Sequence, residues 1–139
     1  MDPNAFFWKM QRGELPFPPS VFTLGGRIVS VDAIQGTVET LFQGKPEFTN
    51  PAGHIQGGFL SAMLDDTMSP ALAALLSAGQ FAPTLSLVTQ FLRPAQPVPI
   101  SGHGRVLRRG SQICHLAGEL HQNGRLIATA TAVASIHTA

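Results

Sequence analysis

The sequence has little charge, a single cysteine and no uninterrupted apolar run of membrane-spanning length. Only 12% of its residues are Asp, Glu, Lys or Arg, against 44% hydrophobic. That leaves little polar cover for a monomer and points to a surface partly covered by copies of itself. A formal net charge of +1, with no basic run, excludes the electrostatic footprint of a nucleic-acid binder. Cys114 alone allows no intrachain disulfide, which fits a reducing compartment. The first residues, MDPNAFFWKMQRGELPFPP, lack the basic start, apolar run and small-residue cleavage site of a secretory signal, so a cytoplasmic location is expected. The stretch 57–79 approaches the length of a membrane span, but Asp65, Asp66 and Pro70 make that reading costly. There is no Gly-rich phosphate loop ending in Lys-Ser/Thr, no Gly-x-Ser-x-Gly elbow and no cysteine with an arranged partner. His115 and His121 share a strand face, but their spacing corresponds to roughly 20 Å, too far for one metal. No metal site is expected.

What is present centres on Asn50 to Leu76, NPAGHIQGGFLSAMLDDTMSPALAALL. Asn50, Pro51 and Gly53 are loop formers, and Gly57-Gly58 permits a tight turn into a helix whose first N–H groups stay uncovered by side chains. Those groups have no partner inside the helix, and the helix dipole adds partial positive charge there. An oxygen that becomes negative during a reaction can sit on them. From Phe59 onward the segment is apolar almost all round, the pattern of an element buried on every side. A helix is expected over 58–77, with a kink or break near Thr67 to Ser69, because Pro70 removes the hydrogen bond to the Asp66 carbonyl. Asp65 and Asp66 therefore lie in or at the edge of a buried element, about 100° apart around its axis. A buried carboxylate is costly unless it is paired, hydrogen-bonded or protonated. Either at least one is kept for chemistry, or one meets solvent and the other a neighbouring backbone group.

The rest of the chain, 139 residues long, reads as one domain built around that helix. Asp2 or Asn4 is expected to cap a short helix over 5–11 that packs as a lid, and Glu14 to Ser20, with three prolines, reads as an irregular connector. Two strands, 27–32 and 37–42, form a hairpin before the helix. Four more are expected after it, at 84–93, 100–109, 111–122 and 125–137, the last two joined by the Asn123-Gly124 hairpin signal. Small residues line one face of these strands: Gly102 and Gly104; Cys114 and Gly118; Ala128, Ala130, Ala132 and Ala134. They allow the close backbone approach that a sheet curling round a helix needs. Cys114 is expected in the core, and so by their helical spacing are Phe59, Met63 and Met68, with an acyl-lining role as the other reading. The fold class is α+β, an antiparallel six-stranded sheet wrapped around a long central helix.

Asn50, Gly57-Gly58 and Asp65 resemble the signature of the hotdog-fold acyl-CoA thioesterases, in the branch typified by the phenylacetic-acid-degradation thioesterases. The likeness runs from about Arg27 to the end and includes Phe91-Leu92-Arg93-Pro94-Ala95. It implies the hotdog fold, an acyl-CoA substrate (aryl or medium-chain), hydrolysis to the free acid and coenzyme A, and no cofactor beyond the coenzyme A of the substrate. It also implies a homodimer, doubled to a homotetramer, with Asp65 of one subunit facing Gly57 of the other. Asp65 takes the position of the base or nucleophile, Gly57 that of the oxyanion donor with Gly58 beside it, and Thr84, or else Ser86, that of the residue that positions water. Asn50 matches the Asn that fixes the loop, although a plain turn residue before Pro51 is the equal reading.

The family pattern has His-Gly-Gly where this chain has Gln56-Gly57-Gly58. Gln56 can orient a thioester but cannot shuttle a proton. His54, two positions earlier, either compensates or is a solvated loop residue. Arg93, Arg108 and Arg109 stand at strand ends, where they either hold coenzyme A phosphates or are solvated charge. Two other functions stay open: a hotdog protein that binds an acyl-CoA or acyl carrier without turnover, and a hotdog hydratase or dehydratase with His54 as its only candidate His.

Overall fold

The computed structural model describes all 139 residues. Its elements are α1 (Phe6–Gln11), α2 (Pro19–Leu24), β1 (Gly26–Asp32), β2 (Thr37–Phe42), α3 (Gly57–Ala73), β3 (Gln80–Phe81), β4 (Thr84–Phe91), β5 (Ile100–Arg109), β6 (Ile113–Gln122), β7 (Arg125–Ser135) and β8 (His137–Thr138). Six strands form one antiparallel sheet in the order β1-β2-β5-β6-β7-β4, while β3 and β8 pair separately. This is the α+β hotdog arrangement. The two-residue pairing of β3 with β8 has no counterpart in the sequence reading. No helix is long and apolar enough to cross a membrane.

The concave face of the sheet holds α3. Leu60, Met63, Leu64, Thr67, Met68, Ala71 and Leu72 of the helix are buried against it. Cys114, Leu116 and Leu120 of β6 and the alanines of β7 face them in one cluster. The small residues of β5 and β6 set the distance. A Cβ on Gly104 would run into the Thr67 carbonyl oxygen, one on Gly102 into Thr40 Oγ1, and one on Gly118 would stand 2.7 Å from Met68 Cγ. Thr67 is locked at this contact, its hydroxyl bonded to Met63 O (2.7 Å) and to Thr40 Oγ1 (2.8 Å). Asn123 (φ 52°) and Gly124 (φ 73°) make the hairpin turn with the left-handed pair that a two-residue loop needs.

Several boundaries differ from expectation. The helix α3 runs unbroken through Pro70 and ends at Ala73, four residues before the expected stop. The bond lost at the Asp66 carbonyl is outweighed by burial of Ala71 and Leu72 beyond the proline, and the ladder continues to Ala74 N, bonded to Pro70 O at 3.0 Å. The expected connector is irregular only to Pro18. Pro19 opens α2 at its first turn, where a missing N–H costs nothing, and Gly25 (φ 64°) closes it. Neither Asp2 nor Asn4 caps α1, which begins behind Ala5 without a side-chain cap. Instead the Asp2 carboxylate accepts Ala78 N–H (2.8 Å) and Asn4 N–H (2.9 Å), tying the N-terminus to the chain just beyond α3. Phe7 is buried, and Trp8 Nε1 donates to Ala74 O (3.1 Å), which holds α1 on the same end of that helix.

Candidate active site

The loop before α3 is built to present the helix N-terminus. Asn50 Oδ1 accepts the N–H groups of Ala52 (3.0 Å) and His54 (3.2 Å), so the turn role of Asn50 is a structural fact. Ile55 N–H donates to Ala95 O and Gln56 N–H to Phe48 O, both at 2.8 Å, and buried Ile55 anchors the loop on the sheet side. The Gln56 side chain makes no capping bond; the Gln56 backbone carbonyl accepts Phe59 N–H (3.0 Å). The amides of Gly57 and Gly58 are left without partners, at the positive end of a helix of 17 residues. Gly57 lies under the Phe91 ring, and a Cβ there would stand 3.0 Å from it.

Two turns along α3 the carboxylates occupy unlike surroundings. Asp65 Oδ1 accepts the Thr84 hydroxyl (2.9 Å) and the Ser69 hydroxyl (3.3 Å), while its other oxygen accepts nothing. Thr84 is on the concave face of β4, paired with Ala134, whereas Ser86 is exposed. Ser69 escaped the sequence reading, although its place four residues after Asp65 on a helix was the available signal. Asp66 is half-buried and makes no hydrogen bond or ion pair. Burial, and then the charge of Asp65, push its carboxyl up to about 6.

Along the axis, eight residues separate Gly57 from Asp65, roughly 12 Å. A reacting carbonyl cannot touch both within one chain. The edge of the sheet beside them is β4, whose outer side has no strand partner, and along it Leu85, Val88, Phe91 and Leu92 are more than half exposed. An apolar, unpaired edge strand of this kind is a template for another strand.

The basic residues divide. His54, Arg93 and Arg125 line one open groove with Gln122 and Asn123, and Arg93 Nη1 donates to Leu126 O (3.0 Å). Arg125 belongs to this group only because β7 lies between β6 and β4, an order the sequence does not display. Arg108 and Arg109 stand at the far end of β5, nine residues or roughly 30 Å from its start. Arg109 Nη1 donates there to Gly110 O, so the structure does not bring these two to Arg93. Phe59 stacks on Phe48 (4.3 Å), and Met63 and Met68 are fully buried, which makes all three core.

Known proteins share this architecture. Residues 45–135 match the family described as acyl-CoA thioesterase N-terminal domain. The structure of a phenylacetic acid degradation-related protein from Ralstonia eutropha JMP134 is 45% identical and superposes with a TM-score of 0.92, covering 94% of this chain and 98% of that one. A thioesterase family protein from Silicibacter pomeroyi is 23% identical, with TM-score 0.85 over 96% and 99% of the two chains. The PaaI protein from the phenylacetic acid degradation operon of E. coli is 19% identical, with TM-score 0.81 over 96% and 93%. These last two show the fold alone. No curated protein matches the sequence significantly. The chain belongs to the hotdog-fold acyl-CoA thioesterases, in the phenylacetic-acid-degradation-type branch, and is a thioester hydrolase.

Proposed function

We propose that the enzyme hydrolyses an aryl or medium-chain acyl-CoA at a site completed by two copies of the chain, with Asp65 of one as base or nucleophile and Gly57 of the other as oxyanion donor. The observation that carries this reading is the pairing of a half-tethered Asp65 carboxylate with unpartnered Gly57 and Gly58 amides that no single chain can bring together. With Asp65 as base, it takes a proton from water held by Thr84. The hydroxide adds to the thioester carbonyl, and the oxygen charge falls on the Gly57 amide. Collapse breaks the C–S bond, and the proton passes to the departing thiolate, which leaves free acid and coenzyme A. With Asp65 as nucleophile, the same amide holds the oxygen and water then cleaves the acyl-enzyme.

In this reading Gln56 and Asn50 position the thioester and its loop. His54, Arg93 and Arg125 receive the phosphates of coenzyme A at the adjoining groove. The carboxylate, the amides and water suffice for the reaction, so no metal or redox cofactor is required. The whole chain 1–139 acts as one domain in the cytoplasm, as a homodimer joined through β4 and doubled to a homotetramer.

Thiol release followed with a thiol-reactive dye across arylacetyl, benzoyl and straight-chain acyl-CoAs tests the reading. The wild type should release thiol, and Asp65→Asn should lose at least about a hundredfold in rate. Unchanged release in the variant would remove Asp65 from the chemistry. Binding without release from any thioester would make Gln56, in place of the family His, the mark of a binding protein.

A further inference from the structure

We infer that the cavity between α2 and the β1–β2 hairpin receives the acyl group, and that Asp66 there selects acyl groups bearing a hydrogen-bond donor at their far end. This rests on the thioesterase reading above and names the substrate class it leaves open. The cavity, about 380 Å³, lies among Phe17, Val21, Phe22, Ile28 and Phe42, with Asp66 and Pro70 as its wall from α3. Phenylalanines and branched aliphatic side chains line it beside Gln11, Arg27 and Thr40, surroundings that suit an acyl chain with a polar end.

Asp66 is the only carboxylate of the lining, and no side chain is hydrogen-bonded to it. Thr40 Oγ1 is bonded to Thr67. Arg27, the only other charged residue of the lining, makes no ion pair, and Gln11 is exposed. A half-buried carboxylate beside apolar side chains, with no donor bonded to it, is an unfavourable arrangement that a ligand hydroxyl would relieve. Burial, followed by the neighbouring Asp65, raises this carboxyl to about 6, so near neutral pH it is an acceptor in want of a donor.

Distance ties the cavity to the reaction. Adjacent residues 100° apart on a helix set their carboxylates roughly 8 Å apart. An acyl group whose carbonyl is at Asp65 reaches Asp66 with a chain of roughly six to eight carbons. One oxygen of Asp65 is held by Thr84 and Ser69, whereas neither oxygen of Asp66 is bonded.

The test compares kcat/KM for hexanoyl-CoA and octanoyl-CoA with that for their ω-hydroxy forms, on wild type, Asp66→Asn and Asp66→Leu. The wild type should favour the hydroxylated member of each pair by about tenfold to a hundredfold. The ratio should fall in Asp66→Asn and reach about one in Asp66→Leu. Equal rates for both members in the wild type, or a preference that survives in Asp66→Leu, would overturn the assignment while leaving thioester hydrolysis intact. Val21→Trp, which fills the cavity, should lower octanoyl-CoA turnover relative to acetyl-CoA; an unchanged ratio would overturn the cavity's role. If no thioester is cleaved, the hydrolytic reading fails on its own. Calorimetric binding of the matching thioether analogues then reads the Asp66 preference directly, and equal affinities would overturn it.

Discussion

Asp65 and Asp66 are neighbours in the chain, yet one oxygen of Asp65 is held by two hydroxyls while the Asp66 carboxyl faces apolar side chains with no partner. The difference follows from their turn around α3: one points toward the β4 edge and the other toward β1 and β2. Each consequence is measurable. Thr84→Ala removes the shorter of the two bonds to Asp65 and should lower kcat by about tenfold to a hundredfold with little change in KM. Asp66 has a folded-state value above its ordinary 3.8, so its protonated form favours the fold. That contribution is complete below pH about 4 and is lost as the pH rises through about 6. Asp66→Asn should therefore be more stable than wild type at pH 7.5, by about 1 kcal/mol once solvent screening is allowed for, or a few degrees. The gain should vanish below pH 4 in thermal melts across the range; an equal gain at pH 4 would mean that burial of the charge is not its source.

At the scale of elements, the approach of α3 to β5 is the contact on which the sheet's curl depends. Gly104→Ala would force the new methyl against the Thr67 carbonyl, a backbone atom that cannot rotate away. It should cost about 3 kcal/mol, read as a lower midpoint in urea with an unchanged slope. The sequence displayed this contact, because glycines two apart on a strand face beside runs of alanine have one evident use. The hairpins were equally legible, since each strand pair is joined by residues suited to a turn. Pro70 does not break the helix: local chemistry argues for an end there while the buried residues after it argue for continuation, and burial prevailed. In α2 the error ran the other way: clustered prolines read as breakers, although a proline in the first turn favours a helix. Asp65 and Gly57 could be proposed together from the sequence because both lie in one stretch. Arg125 beside Arg93, and the cavity behind Asp66, depend on strand order and on α2, neither of which any local pattern displays.

At the scale of the whole molecule, the low charge content finds its place along β4, where an unpaired apolar edge runs beside Gly57 and Phe91. In the proposed function one chain holds two half-sites that cannot meet, and a second copy joined at that edge would bring them together. Mixed assemblies should therefore recover a site that neither parent has. Asp65→Asn and Gly57→Leu chains, each alone, should be nearly inactive toward the best acyl-CoA of the panel. Co-expressed and co-purified, they should recover about a quarter of wild-type activity, because half of randomly formed dimers are mixed and each mixed dimer has one site with both native residues. Recovery at that level would confirm Asp65, Gly57 and the shared site together; mixed dimers as inactive as either parent would contradict the account.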